Sequence, residues 1–218
     1  MKAVIFDLFE TLVTEWGRPK YLTKDVAIDL DIGYQLLRRE WSALGKYAKV
    51  EDAYKKVLDN LGFVQEEQLL VEVAQKRTQC KRKCFDTIEP KITNMLSKLK
   101  ADGYKIGLIS NCSPEEIEGL QECNLYTYLD AVVLSYDVGL AKPSSKIYEY
   151  CISLLGVDAA DCYFVGDGGS DELSGAERAG LMPLRALWFI KHLAENFDEC
   201  KNYTAFYEPS ELVEYICK

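Results

Sequence analysis

Four short stretches of this chain carry residues that could do chemistry together. The first is Phe6-Asp7-Leu8-Phe9-Glu10-Thr11-Leu12. Ser110-Asn111 and Lys142-Pro143 follow, and Val165-Gly166-Asp167-Gly168-Gly169-Ser170-Asp171-Glu172-Leu173 comes last. Their polar groups are carboxylates, hydroxyls, an amide and an ammonium, none of which helps to build a core. Carboxylates gathered at ~4 Å repel by about 4 kcal/mol a pair at an effective dielectric near 20, so such a cluster needs a cation. Oxygen ligands without His or Cys select a hard ion, and Mg²⁺ suits a site that combines carboxylates with a phosphate. In such a site Lys142 can pair with Asp7 and with a phosphoryl oxygen. Thr11 and Ser110 can donate hydrogen bonds to the other oxygens, and Asn111 can position the substrate or its leaving group.

The elements around these residues explain how they would meet. Apolar runs at 2–6, 105–110, 131–134, 162–165 and 183–189 read as strands,. Helices alternate with them. Pro90 opens one that carries Ile92, Met95, Leu96 and Leu99 on one face and stops at Gly103,. Ser113-Pro114-Glu115-Glu116 has the form of a capping box,. Ser144 or Ser145 starts another helix, with Ile147, Cys151, Leu154 and Leu155, and one more follows Asp171. This alternation predicts an α/β fold, a Rossmann-like parallel sheet with helices on both faces. In such sheets ligands bind beyond the carboxyl ends of the strands, where Asp7, Thr11, Ser110, Asn111, Asp167, Asp171 and Glu172 stand. Lys142 lies on the loop after the third strand. Between 15 and 84 no strand is evident, and Val50, Tyr54, Val57, Leu58 and Leu61 fall on a helical stripe that ends at Gly62,. That stretch predicts a small all-helical insert.

Composition removes several alternatives. Hydrophobic residues make up 48% of the 218, enough for a sizeable core,. A net charge of −9 argues against a nucleic-acid surface,. The apolar start is too short for a secretory segment, and no apolar run approaches the ~20 residues needed to span a bilayer, so the expectation is a cytoplasmic protein without a membrane partner. The eight cysteines form no C-x-x-C and read as unbridged thiols,. The one possible half-site for zinc, Cys80 and Cys84, has no second pair to complete it. A triad would have to rest on His192, the single histidine, and no G-x-S-x-G elbow accompanies it,; His192 reads as a surface or helix-end residue.

The four motifs, in this order and each near a strand end, resemble those of the haloacid dehalogenase-like hydrolases. The similarity covers nearly the whole chain, and the helical insert sits where that family carries its cap. The resemblance implies a catalytic core of residues 1–14 and 85–218 and a cap of residues 15–84. It implies that Asp7 attacks the substrate and forms a covalent aspartyl intermediate. Mg²⁺ would be held by the Asp7 carboxylate, the Phe9 carbonyl and Asp167, with Asp171 or Glu172 completing the shell; the spacing fits both. Thr11 and Ser110 would grip the phosphoryl group and Lys142 would neutralise it. The implied activity is that of a Mg²⁺-dependent phosphatase acting on a small phosphorylated metabolite, as a monomer or homodimer.

One position departs from the pattern. The family's phosphatases place a second Asp two residues after the nucleophile, as general acid and base; this chain has Phe9. Three readings follow. The substrate has a good leaving group or turns over slowly. Alternatively, Glu10 or a cap residue supplies the acid, although strand geometry would turn Glu10 away from Asp7. Or the chain is a metal-independent 2-haloacid dehalogenase, whose relatives carry an aromatic residue there, or a catalytically weak ligand-binding member. The acidic cluster favours the metal-dependent reading. Cap residues that could read the substrate are Trp16, Arg18, Lys20, Tyr34, Arg38, Arg39, Trp41 and Lys46, while Lys81-Arg82-Lys83 reads as a solvated helix end.

Overall fold

The computed structural model describes residues 2–44, 47–191 and 202–218. Lys46, His192 and Cys200 lie outside them. Strand β1 (Ala3–Phe6) is followed by four helices, α1 (Thr23–Asp29), α2 (Tyr34–Ala43), α3 (Val50–Leu61) and α4 (Glu67–Arg82). Strands and helices then alternate: α5 (Pro90–Ala101), β2 (Lys105–Ser110), β3 (Ala131–Leu134), α6 (Ser135–Val138), α7 (Ser145–Leu155), β4 (Cys162–Gly166), α8 (Glu172–Arg178), β5 (Met182–Ala186), β6 (Ala205–Phe206) and α9 (Pro209–Ile216).

The strands form one parallel sheet in the order β3-β2-β1-β4-β5-β6. All of β1 is buried, as befits a central strand covered on both faces. Side chains alternate across it. Val4 and Phe6 share a core with Ile92, Met95, Leu96 and Leu99 of α5 and Leu212 and Ile216 of α9. Ala3 and Ile5 face Ile147, Tyr148 and Cys151 of α7 and Leu173 and Ala176 of α8. Each large side chain sealed in these layers contributes roughly 1.5–3 kcal/mol. Register then places the chemistry. Phe6 pairs with Leu108 on one side and Val165 on the other, so the residues following β1, β2 and β4 emerge side by side. This is the switch point of the sheet, where β1 lies between β2 and β4,.

Helices α1 to α4 bury a separate apolar cluster, including Val26, Leu30, Leu37, Tyr54, Val57, Leu58, Leu70 and Val73. Helix α3 ends at Gly62, which adopts the left-handed conformation (φ 75°) at the C-cap,. Among the described residues no helix is long and apolar enough to cross a membrane.

Three elements differ from the sequence expectation. The strand expected at 183–189 runs from Met182 to Ala186. Beyond it Leu187 and Trp188 are buried in a turn, where the Trp188 indole N–H donates to the Thr11 carbonyl at 2.8 Å. The Ser113 capping box opens only a three-residue 3-10 turn, Pro114–Glu116, because Glu115 and Glu116 turn toward cations of α4. The Lys81-Arg82-Lys83 run is not a wholly solvated end: the Lys81 side chain is 11% exposed and bridges Glu15 at 2.9 Å and Glu116 at 3.1 Å.

Candidate active site

Asp7 follows β1 and is fixed by the strand ladder, its backbone N–H donating to the Val165 carbonyl at 2.8 Å. The chain then reverses. Leu12 and Val13 both donate to the Leu8 carbonyl, at 2.8 and 3.0 Å, and Glu10 takes a left-handed conformation (φ 57°). The reversal carries Thr11 back beneath the strand end, fully buried. Ser110 closes β2 and is also buried. Neither the Thr11 nor the Ser110 hydroxyl has a hydrogen-bond partner. Buried polar atoms are normally satisfied, so these two are the kind of donor a ligand would complete.

Lys142 is buried between two carboxylates, with its ammonium donating to Asp7 Oδ1 and to Glu172 Oε2. Burial opposes that charge, but Asp7 and Glu172 outweigh it and hold the ammonium well above the usual lysine value. Burial dominates for the carboxyls instead. Asp7 is raised by desolvation and by Asp167, against the pull of Lys142. Glu172 is raised further, by desolvation and by Asp7. The backbone around Lys142 is held by Asn111, whose Oδ1 accepts from the Lys142 N–H at 2.8 Å and whose Nδ2 donates to the Lys142 carbonyl at 2.9 Å. The amide expected to position the substrate therefore positions Lys142. The Lys142–Pro143 bond is cis.

The last motif supplies two further acids. Asp167 Oδ1 accepts from the Gly169 N–H at 2.8 Å, and Glu172 Oε1 accepts from the Gly168 N–H at 3.0 Å. Glu172 fits against the strand end only because residue 166 is glycine, since a Cβ there would lie 2.1 Å from Glu172 Oε1. Asp7, Asp167 and Glu172 bring one carboxylate oxygen each within 4.8 Å of one another. Asp171 is exposed and stands at the N-terminal boundary of α8 in a left-handed conformation (φ 50°), so of the two acids left open by spacing the structure gathers Glu172 and leaves Asp171 outside the cluster. Three carboxylates crowd one ammonium. Their donor set, all oxygen without His or Cys, fits a hard divalent cation.

Glu10 does not lie on a strand, so the alternation expected of it does not apply. Its carboxylate accepts from the Thr14 hydroxyl at 2.5 Å and from the Glu15 N–H at 3.0 Å, and burial raises its pKa. Phe9 is packed against the core, and the Lys81 ammonium lies 5.4 Å from its ring centroid. Lys81 belongs to a buried charge network that sequence reading missed. Arg77 bridges Glu115 at 3.1 Å and Glu116 at 3.2 Å. Burial pushes Glu116 up, but Lys81 and Arg77 outweigh it and hold the carboxyl below the usual glutamate range. The one signal in the sequence is the spacing of Arg77 and Lys81, four apart on one face of α4.

The remaining cap candidates scatter. Arg18 donates to the carbonyls of Lys83 and Thr87, and the Lys20 ammonium sits 3.9 Å above the Trp16 ring. Tyr34 and Arg38 are exposed, and Arg39 pairs with Glu40 at 2.9 Å. Trp41 packs edge-on against Tyr47 and tilted against Tyr54, with centroids 5.4 and 5.0 Å apart.

Comparison with known proteins identifies the family. The profile of the haloacid dehalogenase-like hydrolases matches residues 1–180. Glyceraldehyde 3-phosphate phosphatase of Methanothermobacter thermautotrophicus is 29% identical, over 83% of this chain and 83% of that protein. Human N-acylneuraminate-9-phosphatase is 32% identical, over 49% of this chain and 42% of that protein. The fold is shared with the crystal structure of a 2-haloacid dehalogenase from Pseudomonas syringae, with a TM-score of 0.70 at 20% identity, over 98% of this chain and 97% of that one. Its α/β sheet, its acidic strand ends and the profile match over most of its length make this chain a member of the haloacid dehalogenase-like hydrolases.

Proposed function

We propose that the protein is a divalent-metal-dependent phosphatase of small phosphorylated metabolites, working through an aspartyl-phosphate on Asp7. The observation that carries this reading is the meeting of Asp7, Asp167 and Glu172 beside Lys142. A halide-releasing enzyme has no need of three gathered carboxylates, and the phosphatase names of the sequence relatives agree. Residues 1–14 and 85–218 form the catalytic core in this reading and 15–84 the cap; the setting is cytoplasmic, consistent with seven free cysteines among the described residues.

Each residue then has a task. Asp7, Asp167 and Glu172, with the Phe9 carbonyl, would hold the cation. When bound, Mg²⁺ supplies the positive charge that lets a carboxylate meet a phosphate dianion. Asp7 attacks phosphorus, a P–O bond forms, and the bond to the leaving oxygen breaks. Thr11, Ser110 and Lys142 donate to the phosphoryl oxygens, where charge is concentrated. Water then attacks the aspartyl-phosphate, freeing inorganic phosphate and restoring the carboxylate. The leaving oxygen receives no proton from Phe9, and the Glu10 carboxyl is engaged by Thr14 and Glu15. Substrates with good leaving groups are therefore preferred.

Two outcomes test this. p-Nitrophenyl phosphate is hydrolysed with Mg²⁺ and not with EDTA, and 2-chloropropionate yields no halide; EDTA-resistant halide release instead would establish the dehalogenase reading. Phe9→Asp, by restoring an acid, raises kcat/KM for an alkyl phosphate at least about tenfold. An unchanged rate would mean that another group already protonates the leaving oxygen.

A further inference from the structure

Helix α8 presents Glu172 to the site, and it also touches the backbone that carries Lys142. The contact is made at Gly175, in the middle of the helix. A Cβ there would lie 2.7 Å from the Pro143 carbonyl oxygen, 2.9 Å from the Pro143 Cα and 2.9 Å from the Tyr148 hydroxyl. Glycine weakens a helix interior relative to alanine, so the residue answers to this close approach and not to the helix. One turn on, the exposed Arg178 reaches the same residue. Its guanidinium donates to the Pro143 carbonyl at 3.1 Å and to the Ser174 hydroxyl at 3.2 Å. Tyr148 of α7, fully buried, donates its hydroxyl to the Glu172 carbonyl at 2.8 Å, which ties α8 to the helix that follows the Lys142 loop.

Lys142 is thus held from two sides. Asn111 grips its own N–H and carbonyl. Pro143 has no N–H and offers only its carbonyl, which Gly175 and Arg178 meet. Ordinary van der Waals contact begins near 3.4 Å, so a methyl group at residue 175 would drive the loop and the helix apart by about 0.7 Å. Neither partner can yield without moving the site. Pro143 is bonded to Lys142, whose ammonium donates to Asp7. Helix α8 is seated in the core by Leu173 and Ala176 and carries Glu172, the second acceptor of that ammonium.

We propose that Gly175 and Arg178 are positioning residues: they clamp Pro143 between loop and helix and so set the Lys142 ammonium against Asp7. The effect on turnover rests on the phosphatase reading. The effect on Lys142 rests on the contacts alone.

The test reads the two separately. The metal-free full chain is labelled with trace acetic anhydride, and acetylation of Lys142 and Lys81 is measured by peptide mass spectrometry. Both side chains are largely buried and ion-paired, 3% and 11% exposed, so Lys81 reports any general loosening. Arg178 is exposed, and Arg178→Ala leaves the core intact. It raises labelling of Lys142 relative to Lys81 roughly threefold, the scale of one hydrogen bond lost, and Gly175→Ala raises it further. With p-nitrophenyl phosphate and Mg²⁺, kcat falls in the same order, roughly threefold for Arg178→Ala and at least about tenfold for Gly175→Ala, since a misplacement of about 1 Å can cost about 10²-fold. Where Gly175→Ala does not fold, Arg178→Ala decides alone. Lys142 as protected as in the wild type, or Lys81 exposed in step with it, would overturn the clamp. Selective labelling of Lys142 with kcat unchanged would overturn its part in the reaction. A wild type that releases no phosphate would remove the phosphatase reading, and the labelling ratio would still decide the clamp.

Discussion

Asp7→Asn abolishes phosphate release, by at least roughly 10⁴-fold, the scale expected when a covalent nucleophile is removed. Asparagine keeps the size of the side chain and lacks the negative oxygen that attacks phosphorus. The fold survives, because the backbone bond from residue 7 to the Val165 carbonyl is unaffected and Glu172 still pairs with Lys142. Removing one buried carboxylate also relieves the repulsion that, with burial, raises Glu172. The melting temperature should therefore stay level or rise while turnover of p-nitrophenyl phosphate disappears. Retained turnover would mean that Asp7 is a ligand or a capping acid and that the nucleophile lies elsewhere.

Lys142→Met has the largest effect on stability. Methionine fills most of the lysine stem and removes the ammonium held between Asp7 and Glu172. Breaking a buried ion pair on one side costs about 3–5 kcal/mol, because the remaining charges stay buried and uncompensated. The sign of the pH dependence follows. Both carboxyls are raised above their unfolded values by burial, and losing the cation raises them more. A carboxyl raised in the folded state favours folding below the ordinary value of about 4 and loses that advantage as pH rises. The deficit of Lys142→Met is thus larger at pH 8 than at pH 5 in urea titrations without metal, and Mg²⁺ recovers part of it. A deficit independent of pH would mean that lost packing, not charge, is responsible.

The parts of this molecule that could be read beforehand were those with local signatures. The strand at 105–110 and the helix from Pro90 show in continuous apolar runs and cap residues, and both appear with those bounds or close to them. Strand β6 is two residues long, too short to leave a periodic pattern. The apolar run past Ala186 looked like more strand, but Trp188 turns in to reach the Thr11 carbonyl, a partner no window of sequence contains. The site divides the same way. Asp7, Lys142 and Asp167 stand out by type and by position after strands. Spacing could not choose between Asp171 and Glu172, because one residue at the start of α8 decides which side chain faces the strand end. Asn111 was legible as a site residue but not in its task, since its partner is a backbone 31 residues away. The Arg77 network joins groups 38 and 39 residues apart, so the sequence shows its cations on one face of α4 but not their carboxylate partners.

The most direct measurement is a Mg²⁺ titration of the substrate-free wild type and of Asp167→Asn, by calorimetry with melting temperature alongside. The expected result is binding to the wild type with a rise in Tm, as for any ligand of the native state, and binding weakened at least about tenfold when one carboxylate is lost. A wild type indifferent to Mg²⁺, or two proteins that respond equally, would contradict an ion gathered by Asp7, Asp167 and Glu172.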